Sequence, residues 1–411
     1  MKSSLSIKTA LLPLLVLIGL LAFNVLVYGD DALSGSNQFI LLFGAAVAAM
    51  VGFANKISYT IMLDKVADNL KSVTGAILIL LFVGALAGTW LIGGVIPAMI
   101  YYGLQILHPS IFLPACVIIC ALISLATGSS WTTSATVGIA LIGIGKALGV
   151  PVGMVAGAVL SGAYFGDKLS PLSDTTNLAP AMAGADLFTH IRYMTHTTVP
   201  SIVVTLIVFI ILGIGFSAEG SANSQVLIAA MNEEFTINLL LFIVPILVIV
   251  MIVKKTPPLV ALFVGTLLGA LAALIFQQDL LLSLSGESSL SLFGTYQVII
   301  DAITVSTEIE TSSPELSDLF QSGGMQGMLG TIWLIICAMV FGGVMDAIGA
   351  LATISTALLS MAKSTFQLFA STVASCLAIN ITASDQYLSI VVPGKMFEKA
   401  YQDRDLAPEN L

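Results

Sequence analysis

Apolar residues in this chain come in long runs separated by short polar connections. A hydrocarbon layer ~30 Å thick takes about 20 apolar residues per helix. On that measure residues 9–28, 37–54, 73–92, 110–127, 198–216, 235–253, 257–276, 325–345 and 366–383 predict membrane-spanning helices. Five further apolar stretches, 93–107, 129–148, 151–166, 346–361 and 386–397, are too short for a single crossing or are interrupted by glycine and hydroxyl residues. Lipid cannot satisfy free amides and carbonyls, so broken helices are expected where protein or a water-filled cavity does so, as along a substrate path. The plainer reading is that glycine and hydroxyls let helices pack closely. The pattern predicts an all-α polytopic membrane protein, an inverted-repeat secondary transporter with discontinuous or re-entrant helices.

Charge placement sets the expected orientation, because basic loops stay cytoplasmic. Lys2 and Lys8, the 55–72 connection with Lys56, Lys65 and Lys71, and the Lys254-Lys255 turn are basic. Asp30-Asp31, the 217–234 loop and the 277–322 loop carry no Lys or Arg. The first group is placed inside and the second outside. Residues 55–72 alternate Ile57, Ile61, Met62, Val66 and Leu70 with Asp64, Lys65 and Asp68, a pattern suited to a helix lying on the membrane surface.

An internal repeat is expected from two short matches, Leu91–Val95 with Val340–Val344 and Leu125–Gly128 with Leu377–Asn380. The first copy follows a basic connection and the second an acidic one, so the copies enter the membrane from opposite sides, the arrangement of transporters with a midplane site. The expected division is 1–72, N-terminal spans and the amphipathic segment; 73–216, first transport repeat; 217–322, linking spans and an acidic external loop; 323–411, second repeat. The counterpart of the polar 167–177 segment falls beyond Leu411, so the second copy reads as truncated.

Composition narrows the function. The 411 residues are 57% hydrophobic and 9% charged, against about 25% charged in soluble domains, which excludes a water-soluble enzyme. The net charge of −9 comes with no basic stripe, which excludes nucleic acid as a partner. Cys116, Cys120, Cys337 and Cys376 lie in apolar runs and read as packing residues. The 9–28 run lacks a small-x-small cleavage site and reads as a retained span.

The chemistry concentrates in two polar strings: Ala126-Thr127-Gly128-Ser129-Ser130-Trp131-Thr132-Thr133-Ser134-Ala135-Thr136, and Gly166-Asp167-Lys168-Leu169-Ser170-Pro171-Leu172-Ser173-Asp174-Thr175-Thr176-Asn177. Carboxylate, hydroxyl, amide and carbonyl oxygens suit a hard alkali cation, and Pro171 breaks the helix and frees carbonyls. A desolvated carboxylate holds a proton more readily and a bound Na⁺ displaces it, so one acid serves both ions in turn. Asp174 is the first choice for that acid, flanked by Ser173, Thr175, Thr176 and Asn177, with oxygens from Thr127, Ser129, Thr132 and Thr133 completing a Na⁺ site. Asp385, Asp346 and Asp167 are further proton or cation candidates, since an acid inside apolar sequence is functional by default. Against this, Asp167 beside Lys168 also reads as a paired charge at the membrane edge. Lys146 and Lys395 read as snorkelling side chains.

Rival chemistries fail on their residues. Gly143-Ile144-Gly145-Lys146 lacks the leading glycine of a phosphate loop and has Ala147 where magnesium needs a hydroxyl. His190 and His196 are six apart, the wrong spacing for zinc on one helix face. Neither catalysis nor a cofactor is expected.

The run from Thr127 to Thr133, that from Ser161 to Ala179, and Ala383-Ser384-Asp385-Gln386-Tyr387 closely resemble the NhaC family of bacterial sodium/proton antiporters, and the likeness extends over essentially the whole chain. The resemblance implies a multi-pass inner-membrane carrier exchanging Na⁺ for H⁺, with relatives that exchange carboxylates such as malate and lactate, and an ion-transporter-like fold moving by an elevator-like shift. Family members continue past the Leu406-Ala407-Pro408 region. The leading expectation is a Na⁺/H⁺ antiporter with lipid around it, its N-terminus cytoplasmic, and a homodimer admitted. The alternative is a Na⁺-coupled exchanger of small organic acids, whose carboxylate the hydroxyls of 129–134 would bind. No arginine lies in either polar string to anchor such a substrate, which favours the simple antiporter. A channel or scaffold would need neither broken helices nor buried acids.

Overall fold

The computed structural model describes residues 5–106, 108–214, 228–229, 231–254, 256–309, 320–383 and 386–411. It is helical nearly throughout, with one two-residue antiparallel strand pair, Thr307–Glu308 with Gln321–Ser322. Among the described residues seven helices are long and apolar enough to cross a membrane: Ile7–Tyr28, Ser36–Ala54, Tyr59–Ile92, Pro109–Thr127, Leu187–Ile214, Pro258–Phe276 and Leu329–Ala347. Each contains or closely matches an apolar run predicted from the sequence. The 235–253 run instead becomes a short 3₁₀ turn, Leu239–Phe242, leading into the helix Ile243–Val253.

The chain folds as two compact units that interleave along the sequence. One comprises Met1–Ile77, Asn177–His190 and Leu329–Leu411; the other comprises Leu78–Thr176 and Ile191–Met328.

In the first unit, Leu17, Leu41, Ala48, Phe341 and Met345 form a buried core between the first two helices and Leu329–Ala347. Asn24, buried in mid-helix, donates to Ser36 at 2.7 Å and to Asn37 at 2.8 Å, which satisfies its amide where lipid could not. The 55–72 connection is not a separate helix. From Tyr59 it is the first part of a continuous 34-residue helix ending at Ile92. No proline interrupts it, and its glycines, Gly75, Gly84 and Gly88, each cost only about 1 kcal/mol in a helix. Its apolar side is covered by protein: Met62 and Val66 are buried, and a Cβ at Gly343 would stand 2.7 Å from the Val66 Cα. Toward the end of the chain, Leu368, Phe397 and Tyr401 pack together, the Tyr401 hydroxyl lies 3.0 Å from Thr372 Oγ1, and the Arg404 guanidinium donates to the carbonyls of Ala362 and Ser364.

In the second unit, the helices Pro109–Thr127 and Val152–Leu169 touch backbone to backbone. A Cβ at Gly162 would overlap the Val117 carbonyl, and one at Gly166 the Ala121 carbonyl. Ser124 donates across this contact to the Ala163 carbonyl at 2.5 Å. Glycine four residues apart permits such an approach between membrane helices. The acidic 277–322 segment, expected as an external loop, contains the helices Gln278–Ser285 and Leu292–Thr304. Val298 and Ala302, four apart, are buried, and the Ala302 carbonyl meets Gly88 so closely that a Cβ there would overlap it. A short amphipathic helix lacks the continuous hydropathy of a span, which is why it reads as loop.

The pattern of elements recurs along the chain in a register different from the expected one. Gly94 has φ +74°, and is followed by the helices Val95–Ile106 and Pro109–Thr127, a break, and a helical stretch from Ser130 to Ala147. Gly349 has φ +73°, and is followed by the helices Ala350–Ser360 and Thr365–Ala383 and then, beyond residues 384–385, by Gln386–Gln402. Pro109 to Thr365 and Ser130 to Gln386 are both displacements of 256 positions. The matches made from sequence were displaced from this. Gly342 and Gly343 lie inside the Leu329–Ala347 helix, where Gly343 serves packing against Val66, and Asn380 lies inside the Thr365–Ala383 helix.

Candidate functional site

Two polar strings of the second unit meet at one glycine. The Pro109–Thr127 helix stops at Gly128, whose φ of +70° is the left-handed conformation that ends helices, and whose N–H closes on the Ser124 carbonyl at 2.8 Å. A Cβ at this position would stand 2.7 Å from the Leu172 carbonyl carbon and 2.9 Å from the Ser173 nitrogen. Glycine is therefore required twice, by the backbone conformation and by the approach of the 172–173 chain.

The chain restarts at once. Ser129, in extended conformation, caps the Ser130–Thr133 turn, its hydroxyl accepting from the Thr132 N–H at 3.2 Å and the Thr132 hydroxyl at 3.0 Å. The Thr133 hydroxyl donates to the Ser129 carbonyl at 2.9 Å and lies 3.5 Å from Thr127 Oγ1. Residues 134–138 then widen into a π turn ahead of the Ile139–Ala147 helix, with the Thr136 hydroxyl donating to the Thr132 carbonyl at 2.8 Å. Thr132, Thr133 and Thr136 are buried, whereas Thr127 and Ser129 are half-buried.

The other string begins on the Val152–Leu169 helix with Asp167, which is 6% exposed and accepts from the Ser130 hydroxyl at 3.0 Å. Ser170 is extended and ends the helix ahead of Pro171, which cannot continue it. Ser173 accepts from the Thr176 N–H at 3.4 Å and lies 3.2 Å from Thr175 Oγ1; the Thr176 hydroxyl turns back to the carbonyls of Asp167 at 3.2 Å and Lys168 at 3.1 Å. Ser173, Thr175 and Thr176 are buried and Asn177 is exposed. Asp174 opens the Asp174–Ala183 helix with its backbone; its side chain lies outside what the structure describes.

The structure thus joins Thr127, Ser129, Thr132 and Thr133 to Asp167, Ser173, Thr175 and Thr176 through Ser130 and Gly128. Neither Ser130 nor Gly128 was among the residues named as Na⁺ ligands from the sequence, although Ser130 is one of the 129–134 hydroxyls assigned to a carboxylate in the alternative. The signal for Gly128 was present, since a glycine closing an apolar helix before a serine cap is the usual sequence of a helix end. Nothing in the sequence paired Ser130 with Asp167, because the two are 37 positions apart and meet only when the helices pack.

The remaining candidates fall elsewhere. Asp346, near the end of Leu329–Ala347 in the first unit, forms an ion pair with Lys65 at 3.1 Å, the two side chains being 29% and 45% exposed. Its charge is met by a cation on a neighbouring helix. Asp385 and Ser384 lie outside the described residues. Lys146 and Lys395 are exposed. All four cysteines are free thiols, three of them buried.

A site built of hydroxyl, carbonyl and carboxylate oxygens inside an apolar protein offers what an alkali cation accepts in place of water. The comparisons with known proteins agree with this chemistry. The family described as the Na⁺/H⁺ antiporter family matches residues 162–411. The chain belongs to the Na⁺/H⁺ antiporter family. Among its relatives, the Na⁺/H⁺ antiporter NhaC of Alkalihalophilus pseudofirmus is 36% identical over 365 residues, 89% of this chain and 76% of the relative. The malate-2H⁺/Na⁺-lactate antiporter of Bacillus subtilis is 36% identical over 366 residues, 89% and 75% of the two chains. The arginine/ornithine antiporter ArcD of Halobacterium salinarum is 30% identical over 414 residues, 99% and 81%. No solved structure matches. As a member of the antiporter family with seven apolar helices of spanning length among its described residues, the protein is a multi-pass membrane transporter.

Proposed function

We propose that the protein exchanges Na⁺ for H⁺ across the bacterial cytoplasmic membrane, its N-terminus on the cytoplasmic side, with one embedded aspartate holding either ion in turn. The observation that carries this reading is the junction at Gly128, where a hydroxyl string and an acid-bearing string are buried against each other in a member of the Na⁺/H⁺ antiporter family. Asp174 is the shared ligand on this reading, assisted by oxygens drawn from Ser173, Thr175, Thr176, Asn177, Thr127, Ser129, Thr132 and Thr133. Asp167 supplies a second acid at the same junction. If the carrier reorients only with its acid occupied, an inward proton gradient drives Na⁺ outward. Lipid covers the exposed apolar side chains of the spans, such as Val204, Ile207 and Ile211, and homodimerisation is checked by native mass in detergent.

The malate-2H⁺/Na⁺-lactate relative supports a second reading, exchange of a small organic acid coupled to Na⁺. Both are tested in everted vesicles with an acid interior and a pH-sensitive dye, by adding NaCl and then malate or lactate. Recovery of fluorescence on NaCl alone supports Na⁺/H⁺ exchange, and a requirement for the organic acid selects the alternative. Asp174→Asn is expected to insert normally and lose exchange; exchange at the wild-type rate in this variant removes Asp174 from the role.

A further inference from the structure

The π turn that follows the Thr132 and Thr133 oxygens contains a polar group which neither the hydrogen-bonding of the fold nor the ligand set above employs. The Ser134 hydroxyl oxygen is buried and has no hydrogen-bond partner among the described residues. Hydroxyls around it behave otherwise: Thr133 donates to the Ser129 carbonyl, Thr136 to the Thr132 carbonyl, and Ser130 to Asp167. A serine in a helical segment can discharge its hydroxyl onto the carbonyl four residues earlier, as Ser161 does with Gly157 at 2.7 Å on the facing helix. Ser134 does not do so.

The backbone at this point is also unusual. An α-helix of the same length would pair every amide with the carbonyl four residues back, whereas residues 134–138 take the wider i→i+5 spacing. Single π turns cost stability and persist mostly where a side chain or carbonyl must be presented to something other than the helix. This turn is fixed against the helix that bears Asp167: a Cβ at Gly138 would stand 2.9 Å from Val159 Cγ1. A buried hydroxyl without a partner costs about 1–3 kcal/mol and calls for an explanation such as an ion or an ordered water.

We propose that Ser134 Oγ is a ligand of the transported alkali cation, presented by the π turn at residues 134–138. The proposal rests on the reading of the Gly128 junction as the Na⁺ site and adds to its cation ligands a residue that the sequence placed only among the 129–134 hydroxyls of the organic-acid alternative. Its chemistry is simple. A hydroxyl accepts no charge and loses no proton; it replaces one water of the cation's shell through an oxygen lone pair, and because its O–H is not held by a helix carbonyl it is free to turn away from the cation.

The test uses the full chain with Ser134→Ala and Ser134→Thr. Na⁺-driven exchange is measured against Na⁺ concentration in everted vesicles, and thermal unfolding of purified protein in detergent is followed with NaCl against choline chloride. For Ser134→Ala the half-saturating Na⁺ concentration is expected to rise roughly tenfold or more with the maximal rate retained, as for loss of one hydrogen-bonding partner of a charged group. Ser134→Thr, which keeps the hydroxyl, is expected to restore it. The Na⁺-specific gain in thermal stability is expected to shrink in Ser134→Ala alone. Removing an idle, unpartnered hydroxyl does not weaken folding, so the variant is expected to express. Wild-type exchange with an unchanged Na⁺ dependence in Ser134→Ala overturns the assignment of Ser134 and leaves the antiport reading in place. Absence of exchange by wild type overturns that reading, and the Na⁺-dependent stability then decides Ser134 by itself: an equal gain in wild type and Ser134→Ala, or no gain in either, overturns the assignment. Equal effects with choline in place of Na⁺ identify the occupant as water and also overturn it.

Discussion

Gly128→Ala is the sharpest test of the junction, because a matched control exists in the same unit. Gly128 and Gly149 have nearly the same backbone conformation, φ +70° and +72°. Alanine in the left-handed region costs about 1–2 kcal/mol at either place. The two differ in what the new Cβ meets. At Gly149 nothing lies within 4 Å, whereas at Gly128 the Leu172 carbonyl carbon is at 2.7 Å and the Ser173 nitrogen at 2.9 Å, both backbone atoms that cannot rotate away. Forcing them apart adds about 1–3 kcal/mol on the scale of overpacked sites. Against a total stability of about 5–15 kcal/mol, both variants fold. The extra term falls on the junction, so Gly128→Ala is expected to lower Na⁺-driven exchange by roughly 5- to 150-fold relative to Gly149→Ala, with Gly149→Ala near wild type. The assay is the initial rate of dye recovery in everted vesicles, normalised to protein in the membrane. If the two variants exchange alike, the meeting of the strings at Gly128 has no part in transport.

Two other outcomes are expected. Asp346→Asn and Lys65→Ala remove a half-exposed ion pair, a kind that contributes only about 0–1 kcal/mol; each is expected to change thermal stability little and to retain exchange, and loss of exchange in Asp346→Asn with Lys65→Ala unaffected would instead make Asp346 a transport residue. Asp186 precedes the Leu187–Ile214 helix and accepts from the Thr189 N–H and the Thr189 hydroxyl, both at 3.0 Å; the backbone donor foremost, these hold its carboxyl below the usual value. A lowered carboxyl contributes stability above its unfolded value, near 3.9, and loses it as pH falls through the folded value. Amide exchange in the first turn of that helix, corrected for intrinsic rates, is therefore expected to quicken on acidification below about pH 4 in wild type and to lose this dependence in Asp186→Asn; identical pH profiles would refute it.

The long apolar runs were legible because a span needs only enough consecutive hydrocarbon, a property of the chain read locally. The run at 9–28 became Ile7–Tyr28 and that at 110–127 became Pro109–Thr127. Segments whose apolar residues serve protein contacts were harder to read. The 55–72 piece carries charges on one side and resembles a surface helix, yet Met62 and Val66 are covered by protein and the helix runs on to Ile92. The glycine pairs matched for the expected repeat are used differently by the helices. Gly93-Gly94 and Gly342-Gly343 are alike as letters, but the first pair follows the end of a helix and the second lies inside one, where Gly343 admits Val66. A glycine pair is compatible with either use, and the neighbour decides.

The candidate site divides in the same way. Hydroxyls, an acid and helix breakers concentrated in otherwise apolar sequence marked both polar strings, since such groups are costly in lipid and stand out wherever they occur. Which of them meet was a matter of distance through space. Ser130 reaches Asp167, and Leu172 reaches Gly128, because Gly162 and Gly166 bring two helix backbones into contact. The sequence by itself determined that this chain lives in a membrane and which residues are too polar to be there without a use. Only the tertiary structure decided which side chains share a hydrogen bond and that hydroxyls such as that of Ser134 are buried without one, because these depend on atoms many positions apart coming within a few ångströms.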